Sequence, residues 1–353
     1  MQESETLIVG AGLSGLHTAA ALHAMGRTFT LIEARSRLGG RILSHFIGST
    51  NFDLGPAWFW PGQPQMDQLI DEFSLPTFPQ QSDGIALYED ESGRIQRMNE
   101  SPMEGAYRIE GGMSAIISAL AEHIPATRIQ INTAVTYLRK TNAGIETTIR
   151  CDGHTQTIRS QRVILALPPR LVAALTFEPA LTPAQIATLQ EIPTWMASHA
   201  KFLAFYDTPF WRDAGYSGEA FSQRGPLTEI HDASPNSGGP YALFGFVGTP
   251  PQQRTALGEK LVEDILEQLQ GLFGAAARHP TTYHIQDWAQ DSYTATARDL
   301  PPLNYHPNYG YFSEAFELWG GALLLSGTET AEQYGGFIEG ALDASVRTIR
   351  KLG

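Results

Sequence analysis

Only one cysteine, Cys151, occurs in the 353 residues, which excludes an internal disulfide and is compatible with a reducing cytoplasm. Cations are also scarce: 24 Lys and Arg stand against 37 Asp and Glu, a net charge of -13. No Lys/Arg cluster offers the concentrated positive patch that nucleic acid or an anionic membrane requires. No apolar run is long enough to span a bilayer. A strand begins at Thr6 or Leu7 and leaves no room for a removable leader before it. The expectation is a cytoplasmic protein with neither nucleic-acid nor membrane partners. The histidines are scattered, no His/Cys/Asp/Glu spacing suits a metal, and no nucleophile with its base can be picked out. Internal repeats and low-complexity tracts are missing as well. What remains is an ordinary globular composition, 42% hydrophobic and 17% charged, long enough for two domains.

Against these absences stands one dense stretch, LIVGAGLSGL at residues 7–16. It reads as a buried strand, a glycine turn and a helix from Leu13 to Met25 that stops at Gly26. In this spacing Gly10 allows the tight turn, Gly12 lets the backbone approach a pyrophosphate, and Gly15 lets the helix pack close to the sheet. The amides of Leu13 and Ser14 then open a helix N-terminus, where the dipole favours negative charge. A second strand, Thr28 to Glu33, ends on an acid about 20 residues further on, placed to hold ribose hydroxyls and to disfavour a 2′-phosphate.

The residues after Glu33 are Ala34, Arg35, Ser36, Arg37, Leu38, Gly39, Gly40 and Arg41. Gly39 and Gly40 permit close backbone approach, and Arg35 and Arg41 carry guanidinium forks that suit phosphate oxygens. A solvated basic loop is the plainer reading. EARxRLGGR resembles the FAD fingerprint of the flavin amine oxidase family, which includes monoamine oxidases, polyamine oxidases and histone lysine demethylases. That resemblance implies a Rossmann-like FAD-binding domain with a parallel sheet, here expected at 1–77, 111–190 and 291–353. It also implies a substrate-binding domain of α+β type with a mixed sheet, expected at 78–110 and 191–290, so that both are discontinuous in sequence. FAD is the expected cofactor.

Gly55, Pro56, Ala57 and Trp58 fall where the family's chain passes the flavin. For Trp58, Phe59 and Trp60, core and site stand level, because neighbouring side chains on an extended chain cannot all face one pocket. From Leu75 to Tyr107 the chain is polar and turn-rich, whereas the family carries several helices there. The reduced cover predicts either a more open pocket or one closed by a neighbouring subunit, which would make a homodimer. Glu110-Gly111-Gly112-Met113 resembles the segment that returns the chain to the FAD domain. Val135 falls where the family holds the adenine side of FAD through main-chain groups, and a buried strand position explains it as well.

In the second half, Thr182-Pro183-Ala184-Gln185 is a capping box. His199 to Tyr206 reads as an interior strand with Lys201 in it. A lysine buried without a partner costs several kcal/mol, roughly, so it must be neutralised, paired or tied to a ligand; the plain alternative is an edge lysine whose head reaches solvent. KFxxxYxxPFWR, Lys201 to Arg212, resembles the family segment whose lysine contacts flavin N5 through a water. Thr249 is expected to cap a helix from Pro250 with the apolar stripe Leu257, Leu261, Ile265, Leu269 and Leu272.

GTETAxxxGGFIEGAL, residues 327–342, resembles the family's C-terminal motif nearly residue for residue. It implies cofactor contacts from Gly327, Thr328, Glu329, Gly336, Phe337 and Ile338, and Arg347, Arg350 and Lys351 complement the dipole at the end of that helix. Aligning Trp288, itself a cofactor-side residue, and Tyr293 with their counterparts puts Ala297 where covalently flavinylated members have cysteine. FAD is therefore expected to be noncovalent. Arg298 stands where the family has the first of two aromatics flanking the amine, and Phe337 at the second. Arg298 either turns away, leaving Trp58, Trp60 or Tyr334 to supply a wall, or binds an anionic group of the substrate.

The expected activity is oxidation of a small amine, with Lys201 as the catalytic residue, O2 as acceptor and H2O2 as product. An L-amino-acid oxidase or related flavin desaturase, and a flavoprotein without catalysis, are the alternatives.

Overall fold

The computed structural model describes residues 2–303, 305–310 and 316–352. Two large sheets organise them. In the first, the strand order is Thr176–Glu178, Thr133–Thr141, Gly144–Cys151, His154–Leu165, Gln2–Val9, Phe29–Ile32 and Ile129–Gln130. Gln2–Val9 lies at the centre, parallel to both neighbours, and Leu323–Leu325 pairs parallel with the far end of His154–Leu165. The runs Leu7–Val9, Val163–Leu165 and Leu323–Leu325 are buried without alternation, as strands covered on both faces must be. On one face lie the helices Leu13–Ala24, Ser114–Glu122 and Ile338–Leu352, and on the other Pro183–Glu191. The fold is the mixed α/β architecture with a Rossmann-like sheet that the glycine turn implies.

The second sheet runs Thr282–Asp287, Ala200–Tyr206, Tyr241–Val247, Leu227–Asp232, Tyr216–Ser222, Ile85–Glu89 and Ile95–Met98. Phe202, Ala204 and Tyr206 face the amphipathic helix Glu259–Phe273, while Leu203 and Phe205 face Phe52 and Leu54. Ala200–Tyr206 thus has apolar partners on both faces, which excludes the edge-strand reading of Lys201.

Three expectations change. The stretch from 75 to 107 holds strands as well as turns: Asp90 Oδ1 accepts the Ser92 and Arg94 amides, closing the hairpin of Ile85–Glu89 and Ile95–Met98. The exposed outer strand hid the period-2 pattern. The helix expected from Pro250 is two helices, Pro251–Leu257 and Glu259–Phe273, broken at Gly258 with φ +55°, a conformation glycine adopts at little cost. Thr249 does not cap the first; its carbonyl accepts from Arg254 Nη1 instead. Arg347 is likewise drawn away from the helix end: Nη2 donates to Leu325 O at 2.8 Å, tying the last helix to the last strand.

Candidate active site

The site begins at the carboxyl ends of the parallel strands, where ligands bind in open α/β sheets. A Cβ on Gly15 would stand 1.9 Å from Gly10 O, and one on Gly10 would stand 2.7 Å from Ala166 O, so strand and helix themselves demand glycine at both. Gly12 differs. Its φ is -73°, and a Cβ there would meet nothing nearer than 3.9 Å, at Gly39 O and Gly40 Cα. Nothing within the chain requires glycine at this point, so the space a methyl group would fill is room for a ligand beside the first amides of a helix. Ser14 turns its hydroxyl away, donating to Ser326 O, so only its backbone remains for a phosphate.

The loop 34–41 folds over this turn: Gly39 N donates to Ala11 O at 2.8 Å and Gly39 bridges Gly12. Glu33, buried, accepts the Ala11 amide on Oε2 and the Arg35 amide on Oε1, at 2.8 and 2.9 Å, leaving a lone pair on each oxygen for a diol. Arg35 departs from expectation. Its guanidinium forks onto Asp291, with Nη2 2.8 Å from Oδ1, bonds Thr294 Oγ1 and lies over the Tyr293 ring. It ties two distant segments together and has no free fork for phosphate. Arg35→Ala and Asp291→Ala are each expected to cost about 1–3 kcal/mol of stability, with a double mutant no worse than either. Fully additive losses in thermal unfolding would refute the pairing.

Arg41 lies farther in. Its Nη1 is 2.7 Å from Oε1 of fully buried Glu329. Burial opposes the Arg41 charge, but the Glu329 carboxylate holds its pKa above the ordinary value. Neither Glu329 oxygen receives a well-directed hydrogen bond from any of the described residues. A buried carboxylate in that state is an acceptor awaiting a donor, and a hydroxyl-bearing chain supplies one. Gly55 packs against Arg41 and Gly327 against Leu167, with Cβ clearances of 1.9 and 2.5 Å to the facing carbonyls. Thr328 Oγ1 donates to Phe337 O and accepts the Gly336 amide, which carries the chain into the last helix, with Ile338 in its buried face. Taken together, the open space at Gly12, the lone pairs of Glu33 and the undonated carboxylate of Glu329 fit a dinucleotide. Val135 stands where the ladder with Gly144–Cys151 breaks in a bulge. Half-buried Ala34 and Pro56 and buried Ala57 flank these groups.

A second group of candidates gathers where the second sheet faces the segment 52–58. Lys201 Nζ donates to Gly55 O at 3.0 Å and sits 4.1 Å from the Phe244 ring centre. Trp288 Nε1 donates to the adjoining carbonyl of Leu54 at 3.1 Å. Burial pushes the Lys201 pKa down from 10.5 to about 7; Asp53 opposes this and Arg108 adds to it. The aromatic triplet separates: Phe59 enters the core, Trp58 faces Phe244 and His231, and Trp60 is exposed. Phe337 is exposed, more so than Trp60, with its ring stacked on His306 at 4.8 Å. Arg298 is exposed, and its carbonyl, with the Asp299 carboxylate beside it, accepts from Arg170. Of the substrate-pocket candidates, the structure brings Trp58 to Lys201 and leaves Trp60, Arg298 and Phe337 exposed.

Several site groups escaped the sequence reading. Asp53 Oδ1 accepts the Met113 amide at 2.9 Å, and a Cβ on Gly112 would stand 2.7 Å from the same oxygen, so the Asp-Leu-Gly and Gly-Gly-Met segments are coupled. Gln80 accepts from Trp58 Nε1 at 2.8 Å and donates to Asp232 O, fixing the indole. His231, wholly buried, is held by Glu229 and Glu219; burial disfavours its charge, but the two carboxylates raise its pKa. Alternation along 227–232 was the available signal, since it puts Glu229 and His231 on one face.

Among the described residues no helix is long and apolar enough to cross a membrane, and no three His, Cys, Asp or Glu are placed to hold a metal. Residues 87–350 match the family described as flavin containing amine oxidoreductase, and residues 8–73 match an NAD(P)-binding Rossmann-like domain. A probable flavin-containing monoamine oxidase A of Dictyostelium discoideum is 23% identical over 99% of this chain and 97% of its own. Its alignment runs over 454 positions against 353 residues here, so the relative carries segments this chain lacks. A putrescine oxidase of Kocuria rosea is 24% identical over 84% of each chain. A solved putrescine oxidase variant superposes with a TM-score of 0.83 at 22% identity, covering 99% of both chains. With the family's sequence pattern spanning most of the chain and its fold along the full length, this protein belongs to the flavin containing amine oxidoreductases and takes FAD as its cofactor.

Proposed function

We propose that the chain oxidises a small primary amine to an imine, with noncovalent FAD and with O2 as acceptor, in the cytoplasm. The observation that carries this reading is Lys201, buried where the second sheet faces the segment 52–58 and anchored on Gly55 O. Bound FAD supplies an acceptor for the hydride that leaves the α-carbon. The turn 10–15 and its helix would hold the pyrophosphate, Glu33 the ribose hydroxyls, and Glu329 with Arg41 the ribityl end. Gly39, Gly40, Gly55–Trp58, Val135, Trp288 and the segment 327–338 would enclose the rest. Ala297 offers no nucleophile for a covalent link.

Lys201, with a pKa near 7, can hold a water by donating or accepting a proton at Nζ as the reaction requires. Phe244, Phe246 and Trp58 make the surroundings apolar, which favours the neutral amine, the form able to release hydride. We read 1–77, 111–190 and 291–353 as the cofactor-binding unit and 78–110 and 191–290 as the substrate-binding unit, with the shortened cover leaving room for a homodimer to close the pocket. Exposed Arg298 gives no support to an anion-binding role.

The test is anaerobic mixing of the holoprotein with primary amines, polyamines and L-amino acids while following flavin absorption. Bleaching by amines, with colour restored on admitting air, is the expected result. Bleaching by amino acids alone, or by no donor, would overturn it.

A further inference from the structure

Lys201 and His231 stand on the two strands that flank Tyr241–Val247, and Phe244 lies between them. From one side, Lys201 Nζ comes to 4.1 Å from the centre of the Phe244 ring. From the other, the His231 imidazole stacks on that ring at 5.4 Å, inclined by 29°. Trp58 touches all three. It meets Phe244 at 5.2 Å and His231 edge-on at 5.0 Å, has Lys201 Nζ 5.8 Å from its ring centre, and is tied through Nε1 to Gln80.

His231 has no exposure to water, and neither has Glu219, whose Oε1 lies 3.5 Å from His231 Nδ1 and takes the Ser101 hydroxyl at 2.8 Å. His231 Nε2 lies 2.7 Å from Glu229 Oε1, on a side chain open enough for water to screen it. Of the two carboxylates, Glu219 is the one that must be answered inside the protein, since a buried charge persists only with a partner. An imidazolium at His231 answers it. That imidazolium then faces Phe244 from the side opposite the Lys201 ammonium. A ring attracts a cation on either face, but two cations across one ring repel through a poorly screened interior. The other charges facing Lys201 are Asp53, Arg108 and Glu229; those facing His231 are Glu219 and Glu229. Burial already lowers the Lys201 pKa to about 7, and a cation across the ring acts in the same sense.

We propose that His231, charged by Glu219, is a positioning residue for Lys201: it braces Phe244 and Trp58 around Nζ and keeps a positive charge across the ring, which favours the neutral amine form of Lys201. This rests on the role given to Lys201 above. Near neutral pH, Nζ can then both donate to and accept from a water beside it.

The test varies the charge and spares the ring. Glu219→Gln keeps the imidazole and an acceptor for Ser101 but removes the charge that holds the His231 proton, so Lys201 should keep its own proton to higher pH. In rapid mixing of the holoenzyme, the pH limb of flavin reduction or reoxidation that Lys201→Met abolishes is expected to move up by about 0.5–1 pH unit in Glu219→Gln. His231→Gln, which removes ring and charge together, should move it in the same direction. Unfolding gives a readout independent of turnover. The destabilisation due to Lys201, taken at each pH as the melting difference from Lys201→Met in the same background, should be smaller in Glu219→Gln and fade at correspondingly higher pH. A limb and a melting difference that stay in place or move down in Glu219→Gln reduce His231 to packing and overturn the proposal, leaving the amine-oxidase reading standing. If no amine bleaches the flavin of the parent, that reading fails, while the melting difference still decides whether His231 governs the proton on Lys201.

Discussion

Lys201→Met is expected to give a protein that is still yellow but turns over at least about 100-fold more slowly. Methionine fills the same slot between Phe244 and Trp58 without a proton to hold, so packing around the cofactor survives while the water beside the reacting centre loses its anchor. The substitution should also stabilise the fold. The folded-state pKa of Lys201, about 7, lies below the ordinary 10.5. Between those values the unfolded chain holds the extra proton, so stability rises with pH across this window. Below pH 7 the folded protein carries the full penalty of a buried ammonium, on the order of 5 kcal/mol at most; Met carries none. Thermal unfolding of the two proteins should therefore differ more at pH 6 than at pH 9. Rapid mixing separates flavin reduction from reoxidation, and unchanged rates for both half-reactions would remove Lys201 from the mechanism.

Two neighbouring glycines should fail in different ways. Gly15→Ala drives a methyl group to within 1.9 Å of Gly10 O and 3.3 Å of Ala166 Cβ. The first helix must then lift from the sheet, costing about 1–3 kcal/mol or more, and the protein is expected to purify colourless and melt early. Gly12→Ala meets only ordinary contacts at 3.9 Å, so the flavin-free protein should melt as the flavin-free parent does while losing FAD affinity by at least about 10-fold. Equilibrium FAD titration together with unfolding of the stripped proteins distinguishes the two. Gly12→Ala binding FAD as tightly as the parent would refute the placement of the pyrophosphate.

The features legible in the sequence are those whose cause is local. The glycine turn, the capping box at Thr182 and the buried run at 323–325 each depend on neighbours within a few residues, so composition and spacing display them. Partners that meet only in three dimensions leave no such trace. Arg35 reads as a phosphate ligand until Asp291, 256 positions away, takes its fork. Leu227–Asp232 reads as a strand, but nothing in its spacing shows that Glu219 and Trp58 close over His231. Gly258 is one residue in an otherwise continuous amphipathic pattern, and only its backbone angle shows that it divides a helix. Arg298 is placed by counting from Trp288 and Tyr293, and the 3-10 turn at 297–299 buries Asp299 while carrying Arg298 to the surface.

The polar groups along the first helix find their partners at the other extreme of the chain: Ser14 meets Ser326, and His17 and Thr18 both meet Ser345. During synthesis, the Rossmann turn leaves the ribosome more than 300 residues before these hydroxyls and the Glu329 side of the site. The nascent chain can form local helices and hairpins in that interval, but it cannot complete a flavin site. Cofactor capture is thereby postponed until the segment 323–345 has been made, and a product halted before residue 323 would expose an unfinished sheet edge with no means of being stabilised by FAD.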